Sequence, residues 1–105
     1  MELILHRTRI HRDTTDGYIK IDGRKVCDTA EHTIVMLKPG RYTLTRRNLY
    51  LAVGNGVYAL REPTIVVGEY CCRGVVIHSR PIYSRIYERL KKAFARKEEV
   101  VLVVE

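Results

Sequence analysis

No apolar run in this chain is long enough to cross a bilayer. The densest, Val100 to Val104, falls far short of the roughly 20 residues that a spanning helix needs. The opening residues Met1-Glu2-Leu3-Ile4-Leu5-His6 lack a basic leader followed by a long apolar core, so no secretory signal is expected. A cytoplasmic location without a membrane partner is the expectation. Thiols are few. Cys27, Cys71 and Cys72 are an odd number with one adjacent pair, a poor disulfide framework that points to a reducing compartment. There is no Cys-x-x-Cys and no His-x-x-x-His spacing, so neither a metal site nor a cofactor is expected. The chain also lacks internal repeats and low-complexity segments, and Phe94 is its lone phenylalanine.

What is present fits one domain over residues 1–105, with 46% hydrophobic residues and a formal net charge of +7. A chain of this length can bury a core but not two. The positive charge admits an acidic partner such as nucleic acid or an anionic surface, and equally serves solubility.

The pattern along the chain is mostly that of strands. Glu2 to Ile10 reads as the first. The polar segment His11 to Gly17 reads as a loop or turn. Tyr18-Ile19-Lys20-Ile21 and Arg24 to Thr29 flank Asp22-Gly23, which predicts a tight hairpin because Asp-Gly suits positive backbone angles. Glu31 to Lys38 reads as a connector, punctuated by Pro39-Gly40. Arg41 to Arg46 alternates polar and apolar residues, as a strand with one wet face does. Leu49 to Val53 reads as its hairpin partner or a neighbouring strand. Ile65-Val66-Val67 and Val75-Val76-Ile77 are short β-branched runs, expected as buried strands. A single helix is predicted from about Pro81 to Lys97. Ile82, Ile86, Leu90, Ala93 and Phe94 recur at helical spacing, and Pro81 fits a first turn with Ser79 or Arg80 near the cap. Val100 to Val104 would be a final, central strand. The expected fold is mainly β: a compact, mostly antiparallel sandwich or barrel-like domain with one C-terminal helix and a closing strand.

The residues GYIKIDGRKVCDTAE, followed by LKPGRY, carry a resemblance, and the order of GN, a VG-ending apolar stretch, VVIHSR, a helix and EVVLVV continues it. The chain resembles a family of small phage and bacterial proteins of unknown function. Typical members carry I-H-x-G-N and, further on, T-x-G-C-I, a pairing similar to the histidine and cysteine of L,D-transpeptidase catalytic domains. In such chemistry a thiolate attacks and an imidazole activates it. Here Leu51-Ala52-Val53-Gly54-Asn55 stands where I-H-x-G-N would, and Thr64 falls on the cysteine position, with Pro63 on the preceding glycine. The resemblance therefore implies the fold and withholds the activity. It points away from an enzyme and towards a binding or interaction module, with Gly54, Asn55, Tyr58 and Thr64 bordering the groove.

Two other chemistries have residues to support them. Cys71 or Cys72 with His78 is the remaining thiol and imidazole in one neighbourhood, and Arg73 would favour a thiolate; two incidental loop cysteines are the plainer reading. Arg85, Arg89, Lys92 and Arg96 fall on one helix stripe that would track phosphates in nucleic acid, or simply face solvent. Cys27 reads as a small buried hydrophobe. Asp13, Asp16, Asp22, Asp28 and Glu31 read mostly as turn formers. The tyrosines suit half-buried positions as well as a binding surface. Gly54-Asn55-Gly56 would present backbone N–H groups to an anion, or serve only as a turn.

Overall fold

Asp22 and Gly23 take positive φ values of 48° and 89° and close the expected two-residue turn, whose twist matches that of the strands it joins. The computed structural model describes residues 1–56 and 62–105. Its elements are β1 (Glu2–Ile10), β2 (Thr14–Ile21), β3 (Arg24–His32), β4 (Gly40–Thr43), β5 (Leu51–Ala52), β6 (Ile65–Cys72), β7 (Val75–Ile77), α1 (Ser79–Ala95) and β8 (Val101–Val104). The strands form one sheet ordered β4-β8-β1-β2-β3-β6-β5, with β7 paired to β6. The sheet curls into a half-barrel, mainly β with one helix. Pairing is antiparallel except for β1 with β8 and β5 with β6.

Alternation builds the core. Leu3 and Leu5 of β1, Ile19 and Ile21 of β2, Cys27 of β3, Ile65 and Val67 of β6 and Leu102 of β8 turn to the concave side. Ile86, Leu90 and Ala93 of α1 close it. As expected, β8 is a central strand, between β4 and β1. On the other face, Ala30, Val66 and Val76 form a small separate cluster. It exists because β6 and β7 fold back over the sheet. Gly68 permits this approach: a Cβ there would lie 2.8 Å from both the Ile77 carbonyl oxygen and Val76 Cβ.

Several element bounds differ from the sequence reading. β2 begins at Thr14, within the supposed loop, and β3 runs on to His32, so Glu31 lies in a strand. Long-range pairing of Thr14 with His32 and Thr15 with Glu31 extends the hairpin over polar residues. The strand expected over Arg41 to Arg46 is shorter and pairs with β8, while β5 pairs with β6 at the far edge. The two are therefore not hairpin partners; one isolated bridge, Thr45 with Asn48, joins the backbone between them. The helix starts at Ser79 and ends at Ala95. Pro81 still lies in the first turn, where N–H groups have no helical partner to lose. At the other end Lys97, at φ 59°, reverses the chain. The Glu98 N–H meets the Ala93 carbonyl and the Lys97 N–H that of Phe94, each at 2.9 Å, a Schellman closure that usually employs glycine.

A buried ion pair holds the polar end of the half-barrel. Arg7 donates from Nε to Glu31 Oε1 at 3.0 Å, and from Nη2 to Glu31 Oε2 and the Leu37 carbonyl, both at 2.8 Å. The pair reaches from β1 to β3 across β2, where Gly17 stands opposite Arg7 and offers no side chain to block it. A Cβ at Gly17 would lie 2.5 Å from the His6 carbonyl oxygen.

Candidate functional site: an inert strand junction and a cation-rimmed cleft

Of the positions that the resemblance singles out, Ala52 lies on β5 and Thr64 just before β6. Ala52 pairs with Val66 in parallel register, and Leu51 with Ile65. Thr64 immediately precedes β6. One strand spacing and two residues of rise separate Ala52 from Thr64, about 8 Å between Cα atoms for ordinary strand geometry. Ala52 has a methyl group with no proton to exchange. The Thr64 hydroxyl donates to the Glu62 carbonyl at 3.3 Å.

The turn after β5 is built into its surroundings. The Gly54 N–H donates to Ser79 Oγ at 3.0 Å. The Asn55 carbonyl accepts from the Val76 N–H at 2.8 Å, and Gly56 bridges to Val75. Ser79, expected near the helix cap, is thus buried and accepts a loop N–H. His78 takes the cap position at φ 55° and makes no side-chain cap bond. With the Gly54 N–H engaged, the turn offers less to an anion than its sequence suggests. Tyr58, the remaining groove candidate, lies outside the described residues.

Neither thiol reaches the imidazole. Antiparallel pairing sets Glu69 against Ile77 at the root of the β6–β7 hairpin and Cys72 against Val75 near its tip. His78 follows Ile77, and its Nδ1 lies 3.0 Å from Glu69 Oε2. Among the described residues, no hydrogen bond joins His78 to Cys71 or Cys72. Both cysteines are exposed. The Cys72 thiol is held above its ordinary pKa, by desolvation first, then by the neighbouring Cys71 and the Asp16 carboxylate. That is the opposite of an activated nucleophile. Arg73, which the sequence offered as a thiolate partner, instead has Nη2 3.5 Å from Asp13 Oδ1. Cys27 is buried, and burial pushes its thiol up to about 12.

The carboxylates read as turn formers do more specific work. Asp16 and Asp28 project from strands and tether the hairpin. Asp16 Oδ1 accepts from the Gly74 N–H, and Asp28 Oδ2 from the Tyr70 N–H, each at 2.9 Å. Asp16 Oδ2 is buried and has no hydrogen-bond partner among the described residues; His11 Nε2 lies 3.8 Å away.

The helix stripe divides. Arg96 Nη2 lies 3.3 Å from Glu98 Oε2, and Glu98 also accepts from the chain's amino group at 3.0 Å. These two cations hold the Glu98 carboxyl below its ordinary value. Arg85 and Arg89 instead border a cleft of about 300 Å³ between α1 and β3, lined also by Lys25, Val26, Ile82 and Ile86. Val26 is the extra residue of a bulge. Ile19 pairs with Cys27 and Lys20 with Lys25, leaving Val26 without a partner. Bulges re-aim side chains in this way. The sequence reading missed Lys25 and Val26, since the hairpin pattern that found the turn does not mark a bulge.

Among the described residues, no three His, Cys, Asp or Glu side chains converge as metal ligands would, and no helix is long and apolar enough to cross a membrane. Comparison with protein-family models, curated proteins and solved structures gives no match.

Proposed function

We propose that this chain is a non-catalytic binding module, related to L,D-transpeptidase-like proteins but without their chemistry. The observation that carries the reading is the β5–β6 junction. Ala52 lies on β5 and Thr64 just before β6, which pairs with it; these are the positions to which the resemblance assigns a base and a nucleophile, and neither side chain is one. The thiols and imidazole present elsewhere are held apart by the β6–β7 pairing, with Cys72 set against Val75 near the hairpin tip and His78 following Ile77 at its root. Two measurements test it. Peptidoglycan-type stem peptides should be neither cleaved nor exchanged by the protein; turnover that survives changes at Cys71, Cys72 and His78 would refute the reading. The thiol introduced by Thr64→Cys should alkylate several-fold faster at neutral pH when Ala52→His is added, because an adjacent imidazole favours thiolate. Equal rates would mean that the two positions do not cooperate.

A second reading, nucleic-acid binding by Arg85, Arg89, Lys92 and Arg96, is favoured by one fact. Among the described residues, Arg85, Arg89 and Lys92 have no carboxylate within 4.0 Å. Affinity for an oligonucleotide that falls steeply with salt and is lost on exchanging all four residues for glutamine is its signature. No retention on a nucleic-acid column at low salt would remove it.

A further inference from the structure

We propose that the cleft between β3 and α1 binds a small aliphatic carboxylate. The inference deepens the reading of the chain as a non-catalytic binding module and rests on it. The cleft joins two unlike surfaces. Its apolar part is Val26, Ile82 and Ile86, and its rim is Lys25, Arg85 and Arg89. The bulge makes the first possible. A regular β3 would pair Val26 with β2, whereas here it is unpaired and lies among the lining residues with Ile82. The helix makes the second possible. Arg85 and Arg89 are one turn apart, a spacing of about 6 Å that lets two guanidinium groups reach one oxyanion.

The charges on this rim are unequal. Lys25 Nζ is 2.8 Å from Asp28 Oδ1 and 5.5 Å from the centre of the Tyr18 ring, so its charge is partly answered within the protein. Arg85 and Arg89 have no carboxylate partner among the described residues. A planar guanidinium fork matches a carboxylate by two parallel hydrogen bonds. A carboxylate head between Arg85 and Arg89 would leave its aliphatic body over Val26, Ile82 and Ile86. The volume of about 300 Å³ is at the small end of ligand pockets. A phosphate backbone would use the rim and leave the apolar floor bare.

The test is a titration of the ¹⁵N-labelled full chain, followed by amide shifts. The probes are sodium octanoate, 1-octanol and sodium acetate, run separately. Octanoate should give saturable shifts centred on Val26, Ile82, Arg85 and Arg89. Octanol lacks the charge and acetate lacks the body, so each should bind at least about tenfold more weakly, a gap of about 1.4 kcal/mol. The double variant Arg85→Gln/Arg89→Gln should weaken octanoate by about tenfold at unchanged melting temperature, and each single variant should lie between. Lys92→Gln should leave octanoate affinity unchanged. Octanoate shifts centred elsewhere, octanol binding as tightly as octanoate, or indifference to the double variant would overturn the site. So would an oligonucleotide that displaces octanoate and depends on Lys92, which would give the cations to the phosphate-tracking stripe. Failure here, with stem peptides still untouched, would remove the carboxylate site and leave the non-catalytic reading. Stem-peptide turnover would remove that reading whatever octanoate does.

Discussion

The β5–β6 junction and the β3–α1 cleft differ in what they leave unanswered. At the junction, the Gly54 N–H, the Asn55 carbonyl and the Thr64 hydroxyl all have partners within the chain. At the cleft, a bulge and a helix turn assemble apolar side chains beneath two guanidinium groups that no carboxylate of the described residues meets. Internally satisfied groups fix a fold, because a buried donor or acceptor without a partner costs free energy. Exposed charges without partners cost little to keep in water and gain most when a ligand arrives. Removing groups of the first kind should therefore cost stability, and removing those of the second should cost only binding.

The largest expected effect lies in the satisfied class. Glu31→Ala strands Arg7 in the interior and should lower unfolding free energy by about 3–5 kcal/mol in denaturant titrations. A loss below about 1 kcal/mol would mean that Arg7 finds water or another acceptor. Next, Ser79→Ala leaves the Gly54 N–H without its acceptor and should cost about 1–2 kcal/mol. Lys97→Gly sharpens the contrast from the other side. It relieves a left-handed residue at the helix end and should gain about 1 kcal/mol. Arg85→Gln should change stability by no more than about 0.5 kcal/mol. A larger loss would place Arg85 among the groups that hold the fold.

Two groups give the comparison a pH dependence. Cys27 has its thiol raised from 9.0 to about 12 by burial. Above pH 9 the unfolded chain releases this proton while the folded one keeps it, so stability should fall as pH rises from 9 towards about 12. Cys27→Val should flatten that limb in alkaline denaturation curves. Glu98 acts in the opposite sense. Its depressed pKa gives a contribution present above the ordinary value of 4.5 and lost as pH falls through the folded value. Glu98→Gln should remove part of the acid limb.

Local chemistry made much of this fold legible. Asp22-Gly23 announced its turn because few residue pairs accept two positive φ angles in succession. The Ile82, Ile86, Leu90 and Ala93 stripe announced α1, and the apolar run after Glu99 announced β8. Features set by distant parts of the chain were hidden. Thr14 and Glu31 look like loop residues until pairing over the hairpin draws them into strands. Glu31 is polar in sequence and buried in structure because Arg7, two strands away, meets it across Gly17. Parallel pairing of β5 with β6 leaves no local mark, so nothing in the sequence pattern set Ala52 against Val66. The basic helix face was legible, but its partner wall was not. Val26 has the same β-branched side chain whether paired or bulged, and only the register of β2 against β3 distinguishes them.

The rate of thiol alkylation at pH 7 tests most directly the proposal that no thiol of this chain is an activated nucleophile. In the native protein, Cys71 and Cys72 should react no faster than a free cysteine, and Cys27 should remain unmodified until unfolding. One thiol reacting about tenfold faster than free cysteine, and slowed by His78→Asn, would contradict the account.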